Sequence, residues 1–258
     1  MRITSLVLLF TVFATIQIPL ANSQADPCAN PTITMWPTQI SSGGTGGNDI
    51  IKGNSLNNKI WGGGGNDIIC GGEGHDYING GDGDDEIYGQ GGNDMLYGFN
   101  HADFIDGGPG KDVIWGNYGP DTLHGGDGGD YINEDDSGNV EFDLLIGYSY
   151  GGPGDDYIQG SDGLDVADGE DGNDAVLGGD SPGTLSGGPG NDYVDGGLFD
   201  DILDGGPGND VLSGLSGDDN FDSTDGVPNN DAVFGGAGTD NCLTDPDIYT
   251  SCETFNAA

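Results

Sequence analysis

The chain has 258 residues, with 45 acidic side chains against four basic ones and a formal net charge of −41. So acidic a surface repels polyanions, which excludes nucleic acid and anionic lipid as direct partners. Glycine contributes 54 residues, and high charge with abundant glycine ordinarily marks a disordered chain; a strict internal period argues against that here.

The first segment reads as an address. Met1-Arg2 supplies a short positive region, Ile3 to Leu20 is mostly apolar, and Ala21-Asn22-Ser23 sets small residues before a cleavage point at Gln24. Thr4, Ser5, Thr11, Thr15, Gln17 and Pro19 make this stretch a poor membrane span, and no second apolar run follows. The sequence therefore predicts a secretory signal over 1–23 and an extracellular mature chain, secreted or surface-associated, without a membrane span. Residues 24–43 read as an N-terminal cap or linker. All four cysteines lie beyond the cut, where disulfides form. Cys242 and Cys252 flank a short loop after the last repeat and are expected to bridge, which leaves Cys28 and Cys70 as the other pair by elimination. No pair has the two-residue spacing of a zinc knuckle.

From Gly44 a nine-residue phrase restarts twenty-one times: Gly, usually Gly, any residue, usually Gly, any, Asp, any, an apolar residue, any. Position one is Gly in every copy, position eight is apolar in every copy, and position six is Asp except at Asn58 and Gly183. Ten copies run unbroken over 44–133. An interruption over 134–150 holds one degenerate unit, Gly138 to Ile146, followed by Gly147–Tyr150. Eight more copies fill 151–222, and the last two units with the disulfide-closed cap make up 223–258. The interruptions are expected to be surface loops.

A fixed period of this kind names a solenoid. Positions one to six carry turn chemistry, since glycine accepts positive φ and close backbone approach. Positions seven to nine form a short strand with position eight facing inward, stable only when stacked on copies of itself. Two units then make one eighteen-residue coil with a strand in each of two parallel sheets, and Ile51, Ile60, Ile69, Ile78, Ile87, Leu96, Ile105 and Ile114 meet between them. Stacked carboxylates at one pitch need cations between them, and oxygen-only ligands select calcium over magnesium or transition metals.

The phrase Gly-Gly-x-Gly-x-Asp-x-apolar-x, as in Gly62 to Cys70 and Gly71 to Asn79, resembles the haemolysin-type calcium-binding repeat of the RTX family. The resemblance covers about four fifths of the chain. It implies an all-β, right-handed parallel β-roll of about ten 18-residue coils with several calcium ions in the turns. It also implies that the position-six aspartates are the ligands: Asp49, Asp67, Asp76, Asp85, Asp94, Asp103, Asp112, Asp121, Asp130, Asp156, Asp165, Asp174, Asp192, Asp201, Asp210, Asp219, Asp231 and Asp240. Asn58 and Gly183 weaken the sites they would help form. Unlike toxins and enzymes of that family, this chain carries cysteines and an N-terminal signal and is nearly all repeat.

Catalysis finds no support in the sequence. Gly147-Tyr-Ser149-Tyr-Gly151 matches a hydrolase nucleophile elbow, but a repeat follows where a helix is required, and Gly179-Asp-Ser181-Pro-Gly183 matches equally well. His75, His101 and His124 fall at different repeat positions and read as solvated. Trp61, Tyr77, Tyr97, Trp115 and Tyr131 share one outward sheet face, a candidate surface for a glycan, a partner protein or self-association. Aromatics also simply suit strands, so both readings stay open. The sequence thus predicts a secreted, non-enzymatic calcium-binding protein with a structural, adhesive or binding role, folding on calcium at roughly 10⁻⁴–10⁻³ M. An accessory module of an extracellular hydrolase system is the alternative; an ice-binding roll would need a threonine array that positions seven and nine lack.

Overall fold

The computed structural model describes residues 26–35, 41–134, 146–161, 163–225, 230–244, 248–250, 252 and 254–257. The predicted signal over 1–23 and Asp143 of the degenerate unit lie outside them. Among the described residues every element is a strand, and no helix is long and apolar enough to cross a membrane. The strands alternate between a 13-stranded and a 12-stranded parallel sheet, each pairing with the strand two along. This is the parallel β-solenoid that the period predicts.

Register follows the eighteen-residue coil. Ile51 pairs with Ile69, Ile69 with Ile87 and Ile87 with Ile105 in one sheet. Ile60, Ile78, Leu96 and Ile114 align in the other. Position eight of each described unit faces inward, and from Ile51 to Cys242 nearly all of these side chains are fully buried. The core is therefore one side chain thick per strand. Each such burial is worth about 1.5–3 kcal/mol, which has to offset the ordering of a glycine-rich turn. At about 4.8 Å per strand, thirteen strands give a roll of roughly 60 Å.

Both interruptions keep the roll in register. Ile132 pairs with Ile158, 26 residues on, and Val211 with Ala232, 21 residues on, so the pairing resumes in register across each insertion. One expectation is corrected here. Gly147–Tyr150, read from sequence as part of a loop, belongs to the strand Ile146–Tyr150, which pairs on both sides. Ser149 takes the inward position opposite Leu123 and Ala167 and is buried. It is tolerated there because its hydroxyl donates to the Glu134 carboxylate at 2.5 Å.

The roll also extends past the repeats. Ile33–Thr34 and Ser41–Gly43 begin the two sheets, and Ile248–Thr250 and Thr254–Ala257 end them. Both expected disulfides are present: Cys28 is bonded to Cys70 and Cys242 to Cys252, with Cα atoms 6.3 and 6.2 Å apart.

Candidate metal centre

Position one explains the geometry of each turn. Gly62 has no need of a left-handed backbone, yet a Cβ there would lie 2.4 Å from Asp67 Oδ2 and 2.3 Å from the carbonyl oxygen of Gly80 in the next coil. Glycine is required because the position-six carboxylate folds back under it. Position two does need the left-handed region, as at Gly63, Gly72 and Gly81 with φ of 111°, 114° and 117°. Gln90, Phe99, Asn117, Glu170 and Leu215 hold the same conformation without being glycine.

The aspartates form two rows, one along each edge of the roll, and the row that holds Asp165 is interrupted at Gly147 and Gly183. The backbone N–H of a position-six residue donates to Oδ1 of the position-six Asp one coil on, at 2.6–3.1 Å. Asn58 and Gly183 donate in the same way to Asp76 and Asp201. All of the predicted ligands are buried, Asp49 at 9% exposed and the others at 4% or less. The structure sets each beside the aspartate of an adjacent coil, except Asp165, whose neighbours along the edge are Gly147 and Gly183.

The second oxygen is the informative one. Oδ2 of Asp67, Asp76, Asp85, Asp94, Asp103, Asp112, Asp130, Asp156, Asp174, Asp192, Asp201, Asp210 and Asp219 is buried with no hydrogen-bond partner in the protein. An unsatisfied buried acceptor costs about 1–3 kcal/mol, and more when charged. Thirteen of them match or exceed the 5–15 kcal/mol that typically holds a whole domain together. A cation beside each carboxylate removes that cost, so the residues fit the ion that the turn chemistry implies. Among the described residues no three acidic, histidine or cysteine side chains converge on one point. Carbonyls of the glycine-rich turns would therefore complete each coordination shell, which suits calcium's demand for six to eight oxygens.

Burial also sets the protonation. It pushes Asp103 up to about 8, and Asp112, Asp156, Asp174, Asp201 and Asp210 up to about 7. Asp76, Asp85, Asp94, Asp130, Asp192 and Asp219 rise to about 6 for the same reason. A buried carboxylate row in this state is poised to exchange protons for metal.

Asp49 and Asp165 stand apart. Thr45 donates to Asp49 Oδ2 from its backbone N–H at 2.7 Å and its hydroxyl at 2.8 Å. Ser161 donates its N–H to Asp165 Oδ2 at 2.9 Å and its hydroxyl to Oδ1 at 3.2 Å. The hydrogen bond from the Thr45 hydroxyl, with that from its N–H, holds Asp49 below the ordinary carboxylate range.

A further row escaped the sequence reading. Position-five side chains accept from the N–H one coil on, Asn48 from Asn66, Asn57 from His75 and Asn191 from Asn209. His75 joins it through Nδ1, which accepts from Asn93 at 2.7 Å. The signal was the excess of Asn, Asp and His at a position treated as free.

The predicted aromatic face exists and is longer than expected. Trp61, Tyr77, Tyr97, Trp115 and Tyr131 stand in sequence along one sheet, joined by Tyr157, with ring centroids 4.6–6.2 Å apart. Tyr97 and Trp115 are parallel within 5°, and Tyr131 and Tyr157 within 3°. These two pairs stack face to face, whereas the other contacts of the row are tilted by 41–53°. A second row, Tyr88, Phe104, His124 and Tyr150, lies on the opposite sheet. His124 is stacked on Tyr150 rather than solvated, and burial pushes its pKa down.

Comparison with known proteins agrees with this geometry. The family described as the RTX calcium-binding nonapeptide repeat (4 copies) matches residues 43–78, 71–98, 79–114, 97–132, 150–185, 186–221 and 204–242. No curated protein matches the chain.

Proposed function

Because the chain belongs to the RTX calcium-binding nonapeptide repeat family, we propose that it is an extracellular protein whose roll folds when calcium enters the turns. Its role is structural, adhesive or binding rather than catalytic. The observation that carries this reading is the row of buried, unpartnered Oδ2 atoms along each edge. Without cations, those carboxylates and the ordering of the glycine turns outweigh a core one side chain thick. Bound calcium supplies the charge that lets adjacent turns pack, so its binding energy becomes folding energy.

The protein's own groups do the rest. Along each row Oδ1 holds the preceding coil in register through a backbone N–H, and the unpartnered Oδ2 atoms are the ones that would hold the ion. Position one leaves room for the carboxylate, and the position-two and position-four glycines turn the chain back. The two disulfides suit an oxidising exterior, where free calcium is abundant. The test is a calcium titration of the chelated chain followed by far-ultraviolet circular dichroism. A cooperative coil-to-β transition, absent with magnesium, is expected. A spectrum indifferent to chelator and calcium would remove the ion-coupled mechanism.

A further inference from the structure

We propose that the turns Gly44–Asp49 and Gly160–Asp165, although each carries the position-six aspartate, are built to stay ion-free. The calcium array is then unbroken from Asp76 to Asp210 along one edge and split along the other, over the coils of Glu134, Asp165 and Gly183. This rests on the calcium reading above and refines which turns it applies to.

The backbone at position two separates the two kinds of turn. In turns whose aspartate keeps a buried unpartnered Oδ2, position two lies in the left-handed region wherever it is described, from Gly63 and Gly72 to Gln90 and Phe99. Thr45, Asn54 and Ser161 lie outside that region. In these three turns the position-two N–H points back into the turn and donates to Asp49 Oδ2, Asn58 Oδ1 and Asp165 Oδ2 at 2.7, 2.9 and 2.9 Å. A donor aimed at the carboxylate occupies the lone pair an ion would use and repels a cation electrostatically. Asn58 shows that an uncharged amide serves the same closed turn, so the negative charge is not needed there.

Two neighbours of the Asp165 turn lack the carboxylate for other reasons. Gly183 has no side chain at position six. In the interrupted coil the roles are exchanged: Glu134 stands where position one is otherwise glycine, and Gly147 stands at position six. A Cβ on Gly147 would lie 2.4 Å from Glu134 Oε2, mirroring the approach of Asp67 to Gly62. The Glu134 carboxylate is held by Ser149. The backbone links these coils in order, Glu134 N–H to Gln159 and Gly160 N–H to Leu177. Three consecutive turns on one edge thus manage without the regular open carboxylate.

The test counts calcium bound at saturation, by equilibrium dialysis with elemental analysis, on the full chain and on D165N, D49N and D174N. Circular dichroism at saturating calcium checks that each variant folds. D165N and D49N are expected to bind as many ions as the parent with the same titration midpoint. D174N, whose Oδ2 is unpartnered, is expected to bind at least one ion fewer. Loss of an ion in D165N and D49N equal to that in D174N would overturn the closed-turn assignment while leaving calcium binding intact. A parent chain that binds no calcium would overturn the calcium reading itself.

Discussion

The position-one glycines allow a sharp test of how each turn is built. Gly62 and Gly64 lie two residues apart in one turn, and neither has positive φ, so alanine imposes no backbone strain at either. A methyl at Gly62 would sit 2.3 Å from the Gly80 carbonyl and 2.4 Å from Asp67 Oδ2, against 3.4 Å or more for ordinary contact. At Gly64 the nearest atoms are 3.9 Å away. Gly62→Ala must therefore push the carboxylate or the neighbouring coil aside by about 1 Å, an overpacking cost of roughly 1–3 kcal/mol. In a domain of this size each kcal/mol moves Tm by about 2–4 °C, so the melting point at saturating calcium is expected to fall by roughly 2–12 °C. Gly64→Ala is expected to leave it unchanged or slightly raised, since alanine restricts the unfolded chain. Thermal melts of both variants by circular dichroism decide the matter. Equal losses, or no loss at Gly62, would refute the steric account of the invariant glycine.

Three other outcomes follow from the structure. Because burial raises the carboxylates of Asp76, Asp103 and Asp112 to about 6, 8 and 7, the folded chain holds protons that the unfolded chain releases. That stability is fully present below the ordinary value of 3.8 and lost as pH climbs through about 6 to 8. The chelated protein should accordingly gain β structure between pH 8 and pH 5, and a spectrum constant over that range would contradict the burial of the row. Ile87→Ala, at a fully buried inward position, is expected to cost about 2–5 kcal/mol in thermal or urea unfolding, whereas the exposed outward Lys59→Ala should cost almost nothing. Tyr97→Ala removes the parallel stack on Trp115 and is expected to lower Tm by an amount matching about 0.5–1.5 kcal/mol beyond lost area. An unchanged Tm would return that row to the role of a free binding face.

Much of the fold was legible because the period repeats every determinant at once. Position eight named the core from Ile51 to Cys242, position six named the edge rows, and the cysteine positions named both bridges. The strands Ile33–Thr34 and Ile248–Thr250 were invisible because strands at the end of a solenoid can pair through backbone alone and need no phrase. Ile146–Tyr150 was misread because its inward residue is Ser149, whose partner Glu134 lies across an insertion that no local pattern bridges. The closed turns were equally hidden: Asn54 and Asn117 are the same residue at position two, yet only Asn117 is left-handed. The distinction belongs to the backbone, and the stacked neighbours set it. The row Tyr88, Phe104, His124 and Tyr150 was hidden because charged Lys52, Glu86 and Asp106 share its outward positions and Tyr150 lies beyond the interruption.

The bridges at either extreme of the roll have a further consequence. A stack in which every coil touches only its neighbours comes apart most cheaply from its outermost members, as a thread unwinds from a spool. Cys28–Cys70 ties the chain ahead of the repeats to the third unit, and Cys242–Cys252 ties the last unit to the strands beyond it. Peeling from either extremity is therefore blocked covalently. When calcium becomes scarce the coils lose their ions together, yet each bridge keeps its terminal loop closed and so shortens the search for register when the ion returns.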